Sequence, residues 1–259
     1  MNHQRVRLIS IFAAILFVPC LLLAQGYAGD QATHEPTMLI DKPTAGMLKR
    51  AQYTVNGVFF QRGGVLMGVS VGLIDAFSFG ISYGGTEIIG SSKVQMNPMP
   101  GVKTKLRLFD ESTTIPAMAI GFDSQGKEPY VDSLSRYLIK SPGFYVVASK
   151  NYSFAGNFSV HGGFSYATEH GDGDKDLNMF IGVEKSLGRL VSLLAEYDFA
   201  LNDDHYRAVG RGRGYLNLGL RLSAGKGFVL GFDLKDVFRN QKEVHVGNRV
   251  LVIDFVGSF

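Results

Sequence analysis

The chain contains no tryptophan and one cysteine, Cys20. Cys20 falls within the apolar run Leu8–Ala24, which follows the basic residues Arg5 and Arg7 and is interrupted only by Ser10, Pro19 and Cys20. A charged start, an apolar stretch and small residues at Ala24, Gly26 and Ala28 read as a secretory signal peptide over residues 1–26. Pro19 and the shortness of the run argue against a retained membrane anchor. A mature chain without this segment has no cysteine, which excludes disulfides and thiolate-bound metals. Lipidation is also disfavoured, because Phe17-Val18-Pro19 does not supply the small residues needed ahead of a lipidated cysteine. Charge is scarce as well: Asp, Glu, Lys and Arg make up 19% of the residues, and the net charge of +3 includes the basic start. The remainder is near neutral and gives no reason to expect nucleic acid. Past residue 28, no run approaches the ~20 apolar residues of a spanning helix.

Glycine and phenylalanine are abundant, at 32 and 19 residues. An exported chain rich in both and poor in charge has the composition of alternating strands with one face in lipid. Residues 27–46 contain Pro36 and Pro43, lack periodicity, and are expected to form an extended periplasmic lead-in. Residues 47–259 are expected to form the folded unit. Alternation starts with Ala51, Tyr53, Val55 and Phe59, and resumes after Gly63-Gly64 with Val65, Met67, Val69, Val71 and Leu73. The third, fourth and fifth strands set Phe77, Phe79, Ile81 and Tyr83, then Val102, Thr104, Leu106 and Leu108, then Met118, Ile120 and Phe122 on one parity. The sixth, Gly143–Lys150, is apolar on both parities and its faces stay unassigned. The seventh to eleventh present Phe158, Val160, Phe164 and Tyr166; Met179, Ile181 and Val183; Val191, Leu193, Ala195, Tyr197 and Phe199; Leu216, Leu218, Leu220 and Leu222; and Phe228, Leu230, Phe232 and Leu234. The last strand carries Leu251, Ile253, Phe255 and the terminal Phe259 on one parity.

These segments predict an all-β fold, a transmembrane antiparallel β-barrel of about 12 strands. The connections alternate in length, as expected of short periplasmic turns and longer outer loops. Short links lie at 74–76, 110–112, 153–156, 187–189 and 224–227; long ones lie at 85–101, 124–142, 168–175, 201–213 and 239–247. Only the first hairpin, at Arg62-Gly63-Gly64, breaks the rhythm. A soluble sandwich also alternates, but its outer faces should be rich in Lys, Glu and Thr, and here the polar parity is mainly Gly, Ser and Ala. Phe255 and Phe259 then read as the terminal signal for barrel assembly, with Gly257 at a position where a large residue is expected. The expected location is the bacterial outer membrane. The expected partners are outer-membrane lipid, lipopolysaccharide and the barrel-assembly machinery.

The polar parity should line the lumen, with Lys103, Lys105, Arg107, Arg221 and Lys235 as its cations and Glu184, Glu196, Asp198, Asp233 and Asp254 as its anions. On opposite walls they either set a transverse field that orients a polar solute or pair and brace the barrel. Residues 127–142 place Tyr130, Leu134, Tyr137 and Leu138 at helical spacing between prolines, which predicts a short helix at the mouth or a loop packed on the rim. Asp172, Asp174 and Asp176 have calcium-loop spacing but lack the closing Glu, so a solvated acidic loop is expected and no metal is assigned. Arg207, Arg211 and Arg213 among glycines suit lipopolysaccharide or polysaccharide anions, or a flexible basic loop. Ser159, His161 and Ser165 share a face but have no visible third partner, so no catalytic residue is assigned and no cofactor is expected.

Several segments resemble the YjbH-type family of outer-membrane barrels linked to exopolysaccharide production. They are Leu39-Ile-Asp-Lys-Pro-Thr-Ala45, Pro116-Ala-Met-Ala-Ile-Gly-Phe-Asp123, Tyr145-Val-Val-Ala-Ser-Lys-Asn-Tyr152, Phe180-Ile-Gly-Val-Glu-Lys185 and Leu194-Ala-Glu-Tyr-Asp198. They cover roughly residues 38–202 in the family's order, although long members of the family continue beyond one barrel. The resemblance implies a non-enzymatic barrel that assists production or export of a surface polysaccharide, with the polymer or export proteins as partners. The alternatives are a structural or blocked barrel, a passive porin-like channel, and an outer-membrane hydrolase built on His161.

Overall fold

The computed structural model describes residues 28–29, 32, 34–153, 155–242 and 248–259. The segment read as a signal peptide lies outside them. Strands β1 (Gln52–Phe60), β2 (Gly64–Ile74), β3 (Phe77–Thr86), β4 (Gly101–Phe109), β5 (Ala117–Asp123) and β6 (Gly143–Ser153) form the first half of the sheet. Strands β7 (Asn157–Tyr166), β8 (Asn178–Leu187), β9 (Val191–Asp198), β10 (Tyr215–Gly225), β11 (Phe228–Lys235) and β12 (Asn248–Ser258) form the second. Each strand pairs antiparallel with its neighbour in sequence. β1 pairs with β12 from Gln52↔Ser258 to Phe59↔Leu251, which closes the wall of the barrel. The result is a closed twelve-stranded barrel with both ends of its wall on the same side.

Burial follows the sequence alternation because successive side chains point to opposite faces of a strand. β11 alternates exposed and buried along its whole length, with Phe228, Leu230, Phe232 and Leu234 outside. Ile81 is 52% exposed, Phe144 61% and Ile181 49%, so a continuous apolar belt faces outward. Water would penalise a belt of this extent, and lipid would not. The ambiguous β6 sends Phe144 and Val146 outward, while Tyr145 and Val147 point inward to pack with Ala117, Ala119 and Phe180. Ala45, which precedes the first strand, completes that inner cluster.

The turns suit their positions. Lys226 and Gly227 both have positive φ, the geometry of a tight two-residue hairpin whose twist matches the strands it joins. The first hairpin closes in the same way at Arg62 and Gly63, and the β3–β4 connection covers it: the N–H groups of Ile88 and Ile89 both donate to the Gly63 carbonyl at 3.0 Å. This explains why a short turn is tolerated on the long-loop side.

Two expectations are corrected by the fold. No α-helix occurs among the described residues between 127 and 142; Lys127–Val131 and Arg136–Ile139 instead pair as a small antiparallel hairpin around a single 3₁₀ turn at Asp132–Leu134. The segment expected to lead in from the periplasm instead runs inside the barrel, where Leu39, Asp41, Lys42, Thr44 and Ala45 are all buried.

Candidate functional site

The N-terminal segment enters at the end of the barrel that carries the short turns, where the Gly29 N–H donates to Ser192 Oγ at 2.9 Å. It rises through the lumen and reverses in a narrow hairpin. Met38 bridges Pro43, the Leu39 N–H donates to the Lys42 carbonyl at 2.9 Å, and the Thr44 N–H donates to the Thr37 carbonyl. It then descends to the same end, where the Arg50 N–H donates to Asp75 in the β2–β3 turn at 2.9 Å. Pro36 and Pro43 bracket the reversal and supply no N–H that would need a partner there.

The hairpin tip rests on Glu196 of β9. Its carboxylate accepts the N–H groups of Ile40, Asp41 and Lys42 at 2.9–3.1 Å, and a fourth donor, Asn217 Nδ2, at 3.0 Å. Successive backbone N–H groups converging on one anion form a nest, and a fully buried carboxylate is stable only with donors of this kind. Charges on the walls hold the rest of the hairpin. Lys42 pairs with Asp198 at 2.6 Å, and Lys235 pairs with Asp41 at 2.6 Å. Lys105 donates to the carbonyls of Thr37, Thr44 and Gly46 at 2.6, 2.9 and 3.1 Å. Arg107 pairs with Glu35, whose carboxylate also accepts the Met47 N–H. Arg221, pinned by Asp233, donates to the Leu39 carbonyl at 3.2 Å.

All ten charges predicted for the lumen therefore point inward, and most of them grip the plug. The remaining ones stay on the wall: Lys103 beside Asp123, Glu184 against Ser192, and Asp254 bonded to Asn56. The pairing reading survives over the open transverse field, with the plug as the intermediary that wall parity alone could not reveal. Between the plug and the wall of β1, β2, β11 and β12 a cavity of 100 Å³ remains, lined among others by Asn56, Ser70, Lys127, Lys235, Val252 and Asp254. It has room for a few water molecules.

A second closure lies on the outer side. The hairpin 127–139 crosses the mouth from β5 to the opposite wall, where Glu128 accepts from Gln241 at 2.9 Å and from Asn248 of β12. At its other side Arg136, 1% exposed, donates to Asp172 and Asp203 at 2.6 Å each. Lys140 pairs with the same Asp172 at 2.8 Å and donates to the Asn202 carbonyl at 2.7 Å. Burial raises the Asp172 carboxyl, but Lys140, the Asp174 N–H and Arg136 outweigh it and hold the group below the usual carboxylate range. Nearby, burial pushes the Glu169 carboxyl up to about 7, despite the Ser141 N–H, Arg136 and Lys140. Asp172 and Asp174 are thus buried latch partners and not part of a solvated acidic loop. Arg207 is no free cation either, because it donates to the carbonyls of Gly171 and Ser133 at 3.1 Å and ties the loops to the lid.

The Ser and His residues weighed for hydrolysis do not converge. His161 points into the lumen, where its Nδ1 meets Ser149 Oγ at 2.8 Å, and that oxygen accepts the Ala45 N–H of the plug at 2.8 Å. Ser159 bonds Asn151 instead. An inward His beneath a plug cannot reach a lipid ester outside the barrel. At the closing seam Tyr53 of β1 packs on Phe259 at 4.9 Å and on Phe255 at 6.0 Å. A Cβ on Gly257 would come within 2.7 Å of the Tyr53 ring, so Tyr53 fills the place where a large residue was expected.

A closed, even-stranded antiparallel barrel with an apolar outer belt and a polar interior defines an outer-membrane β-barrel, and this chain is one. No family model and no curated protein sequence matches it. Among solved structures, the KdgM porin superposes with a TM-score of 0.50 at 9% identity, over 80% of this chain and 99% of that one. The KdgM porin in complex with disordered oligogalacturonate gives 0.48 at 9% identity over the same shares. The translocator domain of autotransporter NalP from Neisseria meningitidis gives 0.38 at 13% identity, over 81% of this chain and 87% of that one.

Proposed function

We propose that the chain is a porin-like conduit kept shut by its own N-terminal hairpin. The observation that carries this reading is the seat at Glu196, where three consecutive backbone N–H groups of the hairpin meet a carboxylate of the wall. The likeness of the barrel to a porin supports the architecture, and the polar inner face supports passage of polar solutes once the hairpin is removed. Planar-bilayer recording tests this. The full chain is expected to show little current, and a variant that lacks residues 34–47 and also carries Arg136→Ala to free the lid is expected to show stepwise conductance. A folded, inserted deletion variant as silent as the full chain would overturn the reading in favour of a purely structural barrel.

A polymer-associated role is the second reading. It is favoured because Leu39–Ala45, the leading segment of the resemblance to the YjbH-type family, is the same stretch that fills the lumen. On this reading the conduit serves production or export of a surface polysaccharide. A strain lacking the protein but secreting unchanged polysaccharide would remove it.

A further inference from the structure

We propose that Arg249 heads a binding site for a phosphate-bearing lipid of the outer leaflet. The cations on outward-facing strand positions are Lys150, Lys185 and Arg249, and the protein treats them differently. Lys150, at the short-turn end of β6, pairs with Glu111 at 3.1 Å and donates to the Ser112 carbonyl. Lys185, at the same end of β8, donates to the Ala155 carbonyl at 2.6 Å. Both are satisfied by their own turns. Arg249 sits at the opposite, outer end of β12, cross-strand from Leu234, exposed, and has no hydrogen-bond or ion-pair partner among the described residues.

Arg249 also stands over a groove. The register aligns Leu218, Leu234 and Arg249 in one outward row, and Leu220, Phe232, Leu251 and Phe59 in the adjacent row toward the membrane. Together these side chains line an outward-open groove of 690 Å³. A guanidinium cannot shed its charge, and its planar fork of donors matches two oxygens of a phosphate. A cation at the membrane surface with no protein partner is best satisfied by an anionic headgroup, while the apolar rows below accept an acyl chain. Because the site is at the end bearing the long loops, the lipid comes from the outer leaflet and not from the periplasmic one.

Native mass spectrometry of the full chain, purified in detergent and titrated with bisphosphorylated lipid A, tests this. The wild type is expected to retain the lipid, and Arg249→Ala to bind it about tenfold more weakly, as loss of one charged anchor implies. Lipid A stripped of phosphate should bind the wild type as weakly as the variant does. Lys185→Ala should leave binding unchanged. Equal retention by wild type and Arg249→Ala, or equal binding of phosphorylated and dephosphorylated lipid, would overturn the proposal. Band shift on heating checks that each variant is folded. If Arg249→Ala does not fold, Arg249→Lys keeps the charge without the fork, and it should bind more weakly than wild type yet still prefer the phosphorylated lipid. No preference in that variant would equally overturn the site.

Discussion

The barrel is closed twice, and the two closures are built on different principles. The plug is held by the wall: its tip sits on Glu196, its flanks on Lys105, Asp198, Arg221 and Lys235, all of them strand residues. The lid is held mainly by other loops, since Asp172 and Asp203, which secure Arg136, belong to connections and not to strands. A plug tied to the wall shares the stability of the sheet. A lid tied to loops can open while the barrel stays intact, because segments with few wall contacts occupy the low end of local stability.

The comparison breaks if plug and lid respond alike to the following changes, in order of expected size. Glu196→Ala removes the acceptor of three plug N–H groups and leaves them buried, a loss of about 3–5 kcal/mol for the seat. Residues 34–47 should become cleavable by protease from the periplasmic side, with the lid unaffected. Arg136→Ala removes the cation shared by the buried carboxylates of Asp172 and Asp203 and should cost the lid roughly 3 kcal/mol. Limited proteolysis should then nick residues 124–142, while the heat-induced band shift of the barrel stays where it was. An unchanged lid would show that Glu128, Lys140 and Arg207 suffice to hold it.

pH gives a smaller separation. The Glu169 carboxyl is raised by burial to about 7 in the closed lid, so the closed state binds its proton more tightly than the open one. Its contribution is therefore fully present below the ordinary carboxylate range and is lost as pH rises through about 7. Asp172 titrates below that range and does not enter this window. Hydrogen exchange, corrected for intrinsic rate, should show the lid amides less protected at pH 8.5 than at pH 5.5, and Glu169→Gln should reduce that difference. The smallest effect concerns the edge-on ring pair Tyr130–Tyr137, at 5.1 Å. Tyr130→Ala should loosen the lid by about 1 kcal/mol and leave conductance unchanged.

The barrel was legible in the sequence because a strand facing lipid on one side writes its orientation into every second residue. The inward charges were legible for the same reason. The plug was not, since residues 34–48 form a turn inside a cavity and have no period to read. Its trace was indirect: Tyr145 and Val147 were apolar on the parity that should face water, and they pack against Ala45. The lid was misread for a geometric reason. Tyr130 and Tyr137 are seven residues apart, a spacing that brings side chains together on a helix, but a hairpin folded between them also makes them cross-strand partners. Buried Asp172 and Asp174 could not be told from a solvated acidic loop, because their partners Arg136, Lys140 and Asp204 lie in other segments.

The Glu196 seat also orders events in time. Ile40 and Glu196 are 156 positions apart. The plug emerges early from synthesis, but its dock exists only after β9 and β10 have joined the wall, and contacts across such separations form late. An unseated barrel therefore precedes the sealed one on the assembly route. During that interval the first part of the chain waits while the last strands complete the structure that encloses it.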